Sequence, residues 1–146
     1  MHEKKREHAG KSDMREYDYR LCNISKWRQR ELVSFCKQYP ALEAELRKMS
    51  LISGRALDGL PRGSDISNPT EKIAIRIAYI KDKLEMIDKA LSSIEDMDYI
   101  PLVKLNLCYS KNINQIRRKY PWVSHGGLYR ARREALIALD KLKNSP

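Results

Sequence analysis

"IAIRIAYIKDKLEMIDKALSSI", residues 73–94, carries the cleanest periodicity in the chain. Ile73, Ile77, Ile80, Leu84, Ile87, Leu91 and Ile94 step by four and three residues in alternation. That spacing puts all seven side chains in one stripe along a helix, the mark of a coiled-coil seam. A second stripe lies upstream, where Leu32, Phe35, Tyr39, Leu42, Leu46 and Met49 step by three and four. Between the two runs "SGRALDGLPRGSDISNP", residues 53–69, which holds three of the six glycines and two of the six prolines. Glycine and proline punctuate regular structure, so this stretch reads as a loop. It closes on a helix start, with Asn68 as N-cap, Pro69 at the first position and Glu71 at the third.

Two apolar seams joined by a loop predict a long antiparallel helical hairpin, a coiled-coil-like arm over residues 13–98. A seam between two chains, making a homodimer through the arm, uses the same pattern, and both pairings stay open. Helix is expected from Asp13 to Tyr39. Pro40 falls inside the first seam without shifting its phase, which predicts a kink or a tight break there. Residues 1–12, "MHEKKREHAGKS", are polar and unpatterned and read as a disordered basic tail.

The chain has 146 residues, 42% hydrophobic and 33% charged. Strand-like alternation is nearly absent, and the fold class is all-α. No apolar run approaches 18 residues, so no membrane span is expected. Cys22, Cys36 and Cys108 lack C-x-x-C spacing, and His2, His8 and His125 are scattered. They suggest reduced thiols in a cytoplasmic protein, without metal site or cofactor.

Charge is uneven. The total is +10, and residues 104–143 alone hold ten Lys/Arg against Glu134 and Asp140. Residues 1–30 hold nine against five, and residues 71–98 five against seven. A polyanion-binding surface is therefore expected towards the C-terminal end.

After "EDMDYIP", with Pro101 as a breaker, helices are expected over roughly 102–110, 113–120 and 125–143. Asn112 with Ser110 marks the first turn, and Pro121 with the cap Ser124 marks the second. The last two helices fit a helix-turn-helix within a small C-terminal domain, residues 99–146. Ile116 and Tyr120 face inward from the first, Val123 fills the gap, and Leu128, Ala131, Ala135, Leu136 and Leu139 pack the second. Ser124, His125, Gly126, Tyr129, Arg130 and Arg133 are then the candidates for reading double-stranded DNA, with Arg117, Arg118 and Lys119 on the flanking backbone. Glycine costs a helix about 1 kcal/mol relative to alanine. Two glycines at the front of the second helix, Gly126 and Gly127, suggest a close approach there, to DNA or, for Gly127, to Ile116.

The order of these parts resembles the phage late-gene transcriptional activators of the RinA/ArpU type. The resemblance runs over residues 32–142, through "YPALEAELRKM", "LDGLPRGSDISNPTEK", the Ile/Leu helix and a C-terminal segment similar to region four of bacterial sigma factors. It implies that "INQIRRKY" supports and "SHGGLYRARREAL" reads DNA, in a nucleoid-associated activator of late genes, not an enzyme, working with host RNA polymerase. Arg117 and Pro121-Trp122 stand where the usual pattern has alanine and glycine. A small terminase subunit, a DNA-packaging component, is the alternative, since it also joins a helix-turn-helix to helical oligomerisation elements. A nuclease or recombinase has less behind it: Glu95, Asp96 and Asp98 sit at a helix end with no second acidic cluster.

Overall fold

The computed structural model describes residues 24–59 and 67–144, with side chains over 24–52 and 70–144. Those residues form six helices and no strand: α1 (Lys26–Lys37), α2 (Tyr39–Gly59), α3 (Ser67–Leu91), α4 (Ile100–Leu107), α5 (Ile113–Lys119) and α6 (His125–Asn144). A 3-10 turn, Met97–Tyr99, precedes α4. The protein is all-α.

Helix α1 begins at Lys26, and the part of the expected helix over residues 13–23 lies outside the described residues. Ser25 caps α1, its Oγ accepting from the Arg28 N–H at 3.1 Å. Ile24 is buried just outside the helix, and residues 1–23, with the expected tail, lie outside the described residues. At Pro40 the chain makes a break of one residue. Gln38 N–H donates to the Phe35 carbonyl at 3.3 Å, and Leu42 N–H donates to the Gln38 carbonyl at 2.9 Å. Proline thus occupies the first turn of α2, where a missing N–H costs nothing. The seam survives the break, with Leu32, Phe35, Tyr39 and Leu42 all buried.

The expected loop over 53–69 is shorter than its composition suggests. Helix α2 runs on to Gly59 and α3 already begins at Ser67. Once a helix is nucleated each further residue adds a backbone hydrogen bond, which carries it past single glycines. Residues 60–66 and the side chains of Asn68 and Pro69 lie outside the described residues. Pro101 likewise opens α4 in its first turn and does not stop the chain.

Helices α2 and α3 pair antiparallel within one chain. Tyr39 meets Asp88 near the base, and farther out Arg76 grips Glu45 through two bonds of 2.9 and 3.3 Å. Burial is graded along the seam: Ile80, Leu84, Ile87 and Leu91 are buried, while Ile73 and Ile77 are only half-buried. Ile75 and Leu51 stand in solvent, at 63% and 66% exposure.

At the base, one core runs continuously from Ile24 to Leu139 and joins the hairpin to the C-terminal helices. Helix α6 is its axis, burying Leu128, Ala131, Ala135, Leu136 and Leu139 against α1, α3 and α4. Arg28 of α1 locks onto its far end, with Nε 2.6 Å from Asp140 Oδ1 and Nη2 3.0 Å from Asn144 Oδ1. Cys36 and Cys108 are free thiols buried in this core. Their mutual hydrogen bond, with burial, pushes the Cys36 thiol up.

A polar triad clamps the base. Tyr39 Oη donates to Asp88 at 3.0 Å, and Lys104 Nζ donates to Tyr39 Oη at 2.9 Å and to Asp88 Oδ1 at 3.2 Å. Burial lowers the Lys104 pKa, but the bonds to Tyr39 and Asp88 outweigh it and the net shift is upward. Tyr39 is also raised, chiefly by burial.

Replacing Ile80 by Asp should destabilise the fold by more than about 3 kcal/mol, since a buried apolar side chain gives way to an unpaired charge. Ile75→Asp, on the exposed face, should stay within about 0.5 kcal/mol. Urea titrations followed by circular dichroism check both. A pH effect follows from the triad. Lys104 and Tyr39 both hold their protons more tightly when folded, so their stabilisation is complete below the unfolded pKa values of about 10 and is lost as pH rises beyond them. The melting temperature should begin to fall near the unfolded values of about 10 and go on falling as pH rises through the raised folded values. Lys104→Met should make that fall shallower.

Candidate nucleic-acid interface

Helix α5 is short, so its ends carry much of its stability. Asn112 and Gln115 form a reciprocal capping box, with bonds of 2.8 and 2.9 Å. Ser110, at φ 57°, turns the chain into it. Arg117, Arg118 and Lys119 crowd the last turn, where the helix dipole favours cations. All three are exposed, while Ile116 points into the core.

The turn to α6 is built as its residues suggest. Val123 is buried in the common core and its N–H donates to the Tyr120 carbonyl at 3.1 Å. Ser124 caps α6, its Oγ accepting from Gly127 N–H at 3.0 Å and its carbonyl from Leu128 N–H at 3.0 Å.

The two glycines do different things. Around Gly126 nothing lies within 4 Å of where a Cβ would stand. At Gly127 a Cβ would collide with Oη and Cζ of Tyr99, the latter at 2.7 Å, and with Ser124 Oγ at 2.8 Å. The close neighbour is therefore Tyr99 and not the expected Ile116. Tyr99 is buried, and its hydroxyl lies 3.5 Å from Ser124 Oγ and accepts from Ser124 N–H at 3.4 Å. Its ring meets the exposed Trp122 edge-on, centroids 5.5 Å apart. One phenol thus touches the turn, the cap and the first turn of α6. Asp96 steadies it from behind by capping the 3-10 turn, so part of the "EDMDYIP" stretch is structural.

The candidate residues divide accordingly. His125, Gly126 and Arg130 are exposed at the front of α6; Tyr129 and Arg133 are half-buried, so the expected fully outward face is narrower. Arg132 is buried, its Nε donating to Asn106 Oδ1 at 3.1 Å. Ser124 serves as the cap and is still exposed.

Two clefts flank the front of α6. One, of about 370 Å³, is lined by Arg130 with Glu95, Asp96 and Glu134, besides Tyr99 and Gly127. Glu134 Oε1 accepts from Glu95 N–H at 3.2 Å across it. The other, of about 290 Å³, opens beside Tyr129 and reaches α1 at Val33 and Lys37. Sequence reasoning missed Tyr99, Lys37 and Lys111, because nothing local marks their proximity to α6.

No protein-family model, curated protein or solved structure matches the chain. The geometry around α6 is therefore what points to a function. Among the described residues no helix is long and apolar enough to cross a membrane, and no cluster of three metal-ligating side chains occurs.

Gly127→Ala should cost about 1–3 kcal/mol through overpacking against Tyr99. Gly126→Ala should instead stabilise by up to about 1 kcal/mol, since it adds helix propensity in open space. Tyr99→Phe removes the nearest colliding atom, so in the Gly127→Ala background it should recover part of the loss. Thermal melts of the four proteins complete the cycle, and strict additivity would deny the contact.

Proposed function

We propose that the protein is a sequence-specific double-stranded DNA-binding regulator, without catalysis, that reads its site with the front of α6. The observation that carries this reading is the tight turn after α5, closed by Val123 N–H on the Tyr120 carbonyl and by the Ser124 cap, which leads into α6 with His125, Gly126 and Arg130 exposed at its front. Arg117, Arg118 and Lys119 are exposed in the last turn of α5, just ahead of that turn in the chain. A helix of this kind enters the major groove with its N-terminal residues on base edges, while the neighbouring helix touches the backbone. The open space at Gly126 leaves room for a base pair or sugar to come close. Arg130 can donate bidentately to guanine, and His125 and Tyr129 can reach bases or phosphates.

The finer reading, an activator of phage late genes working with host RNA polymerase, rests on the resemblance of "LDGLPRGSDISNPTEK" and its flanking segments to the RinA/ArpU type. One observation favours the packaging alternative. Leu51, Ile52, Ile75 and Tyr79 expose apolar surface on the hairpin, which a higher oligomer would cover. Sedimentation decides between them: one or two copies fit a regulator, and a closed ring of eight or more fits a packaging component.

Binding to duplex DNA should weaken with salt, log K falling roughly 4 to 5 units per log unit if about five phosphates are neutralised. Arg130→Ala should cost about 1–3 kcal/mol and relax preference at one base pair. Arg118→Ala should weaken binding to all sequences alike and reduce the salt slope by about one unit. Competition binding across a randomised operator measures both. If Arg118→Ala changes the preferred sequence while Arg130→Ala leaves it intact, the roles of the two helices are reversed.

A further inference from the structure

The two clefts beside α6 carry opposite charge. The cleft at Arg130 includes Glu95, Asp96 and Glu134. Among the described residues lining the cleft at Tyr129, the ionisable groups besides the tyrosine are Lys37, Lys111 and Arg132, and none is a carboxylate. Arg132 lies at the buried floor, whereas Lys37 and Lys111 stand exposed on the rim.

This second cleft is also built, not merely bordered. Asn106 joins its parts through both ends of one amide. Its Oδ1 accepts from Arg132 Nε at 3.1 Å, and its Nδ2 donates to the Lys111 carbonyl at 2.8 Å. Lys111 N–H is held in turn by the Leu105 carbonyl at 3.0 Å. The backbone that carries the rim lysine is thereby fixed before any ligand arrives, which spares ordering entropy on binding. Asn114 lines both this cleft and the next hollow along α5, which Arg117 and Arg118 share. Positive charge therefore continues from α1, past Tyr129, to the last turn of α5.

We infer that this cleft seats the phosphate backbone of the bound duplex, bringing Lys37 of α1 and Lys111 into the DNA interface, while the acidic cleft on the opposite flank keeps phosphate away from Arg130. The inference rests on the proposed reading by α6 and adds what that reading lacks, a path for the backbone and a contact from outside the helix-turn-helix. Phosphates carry the sequence-independent part of protein–DNA affinity and set the register of the reading helix. Carboxylates beside Arg130 repel phosphate but leave its guanidinium available to a base edge.

The test uses the full chain and a random-sequence duplex, with inorganic phosphate as a second probe. Lys37→Ala with Lys111→Ala should lower the salt slope by about two units and weaken binding at least tenfold at low salt. Base preference measured on a randomised operator should stay unchanged. Glu95→Gln with Asp96→Asn should strengthen duplex binding, and Lys48→Ala, on the hairpin, should leave it as it was. All replaced side chains are exposed, and a melting curve confirms that each variant folds. If the wild-type chain binds duplex but the double lysine variant keeps its slope, the cleft does not hold the backbone, though the reading by α6 stands. The cleft is equally ruled out as a backbone seat if inorganic phosphate shifts the Lys37 and Lys111 resonances while their removal leaves duplex binding alone, for it is then a small-anion site. A wild-type chain that binds no duplex at low salt overturns the inference together with the function beneath it.

Discussion

The position of the Tyr99 phenol depends on a side chain that is missing. Gly127 leaves the volume into which the ring fits, and any larger residue there would drive Tyr99 or α6 aside. From that seat the ring abuts Trp122 in the turn and its hydroxyl reaches the cap at Ser124. The start of α6 is thus referenced to the 3-10 turn before α4 and not only to α5. This contact adds to the Ser124 cap and to the buried face of α6 in fixing the helix start that carries His125, Gly126 and Arg130.

Features that depend on neighbours in sequence are legible in the sequence itself. The α3 seam, the cap at Asn112, the buried Val123 and the cap at Ser124 all follow from spacing and local hydrogen bonding. Features that depend on how helices cross are not. Tyr99 stands 25 residues from Ser124, and Lys37 belongs to a different helix from Tyr129 and Arg132, with which it lines a cleft. Composition also misleads in places. Gly54 and Gly59 resemble loop residues, yet an established helix extends through both. Three arginines in α6 look interchangeable in sequence, whereas Arg130 is exposed, Arg133 half-buried and Arg132 fully inside.

Arg132 illustrates how charge and packing share one helix. A guanidinium with little access to water needs fixed polar partners to offset its desolvation, and Asn106 supplies one. That same amide holds the backbone of the next turn. The arginine therefore acts as a fastener inside the fold, and the cationic character of the whole C-terminal segment overstates how much of it is offered to a partner.

The graded seam of the hairpin has a kinetic side. Near the base, α3 is enclosed by α2, α4 and α6, and the Tyr39–Asp88–Lys104 clamp closes it. Farther out, around Ile73 and Ile77, it leans on α2 with partial burial. Opening such a pair from the outer end exposes little apolar surface per turn, while opening it from the base exposes the common core. Amide protons along α3 should consequently exchange in spatial order, the outer turns through small local openings and those around Ile87 only with global unfolding. The hairpin behaves as a zipper whose closed end is anchored in the same core that holds α6.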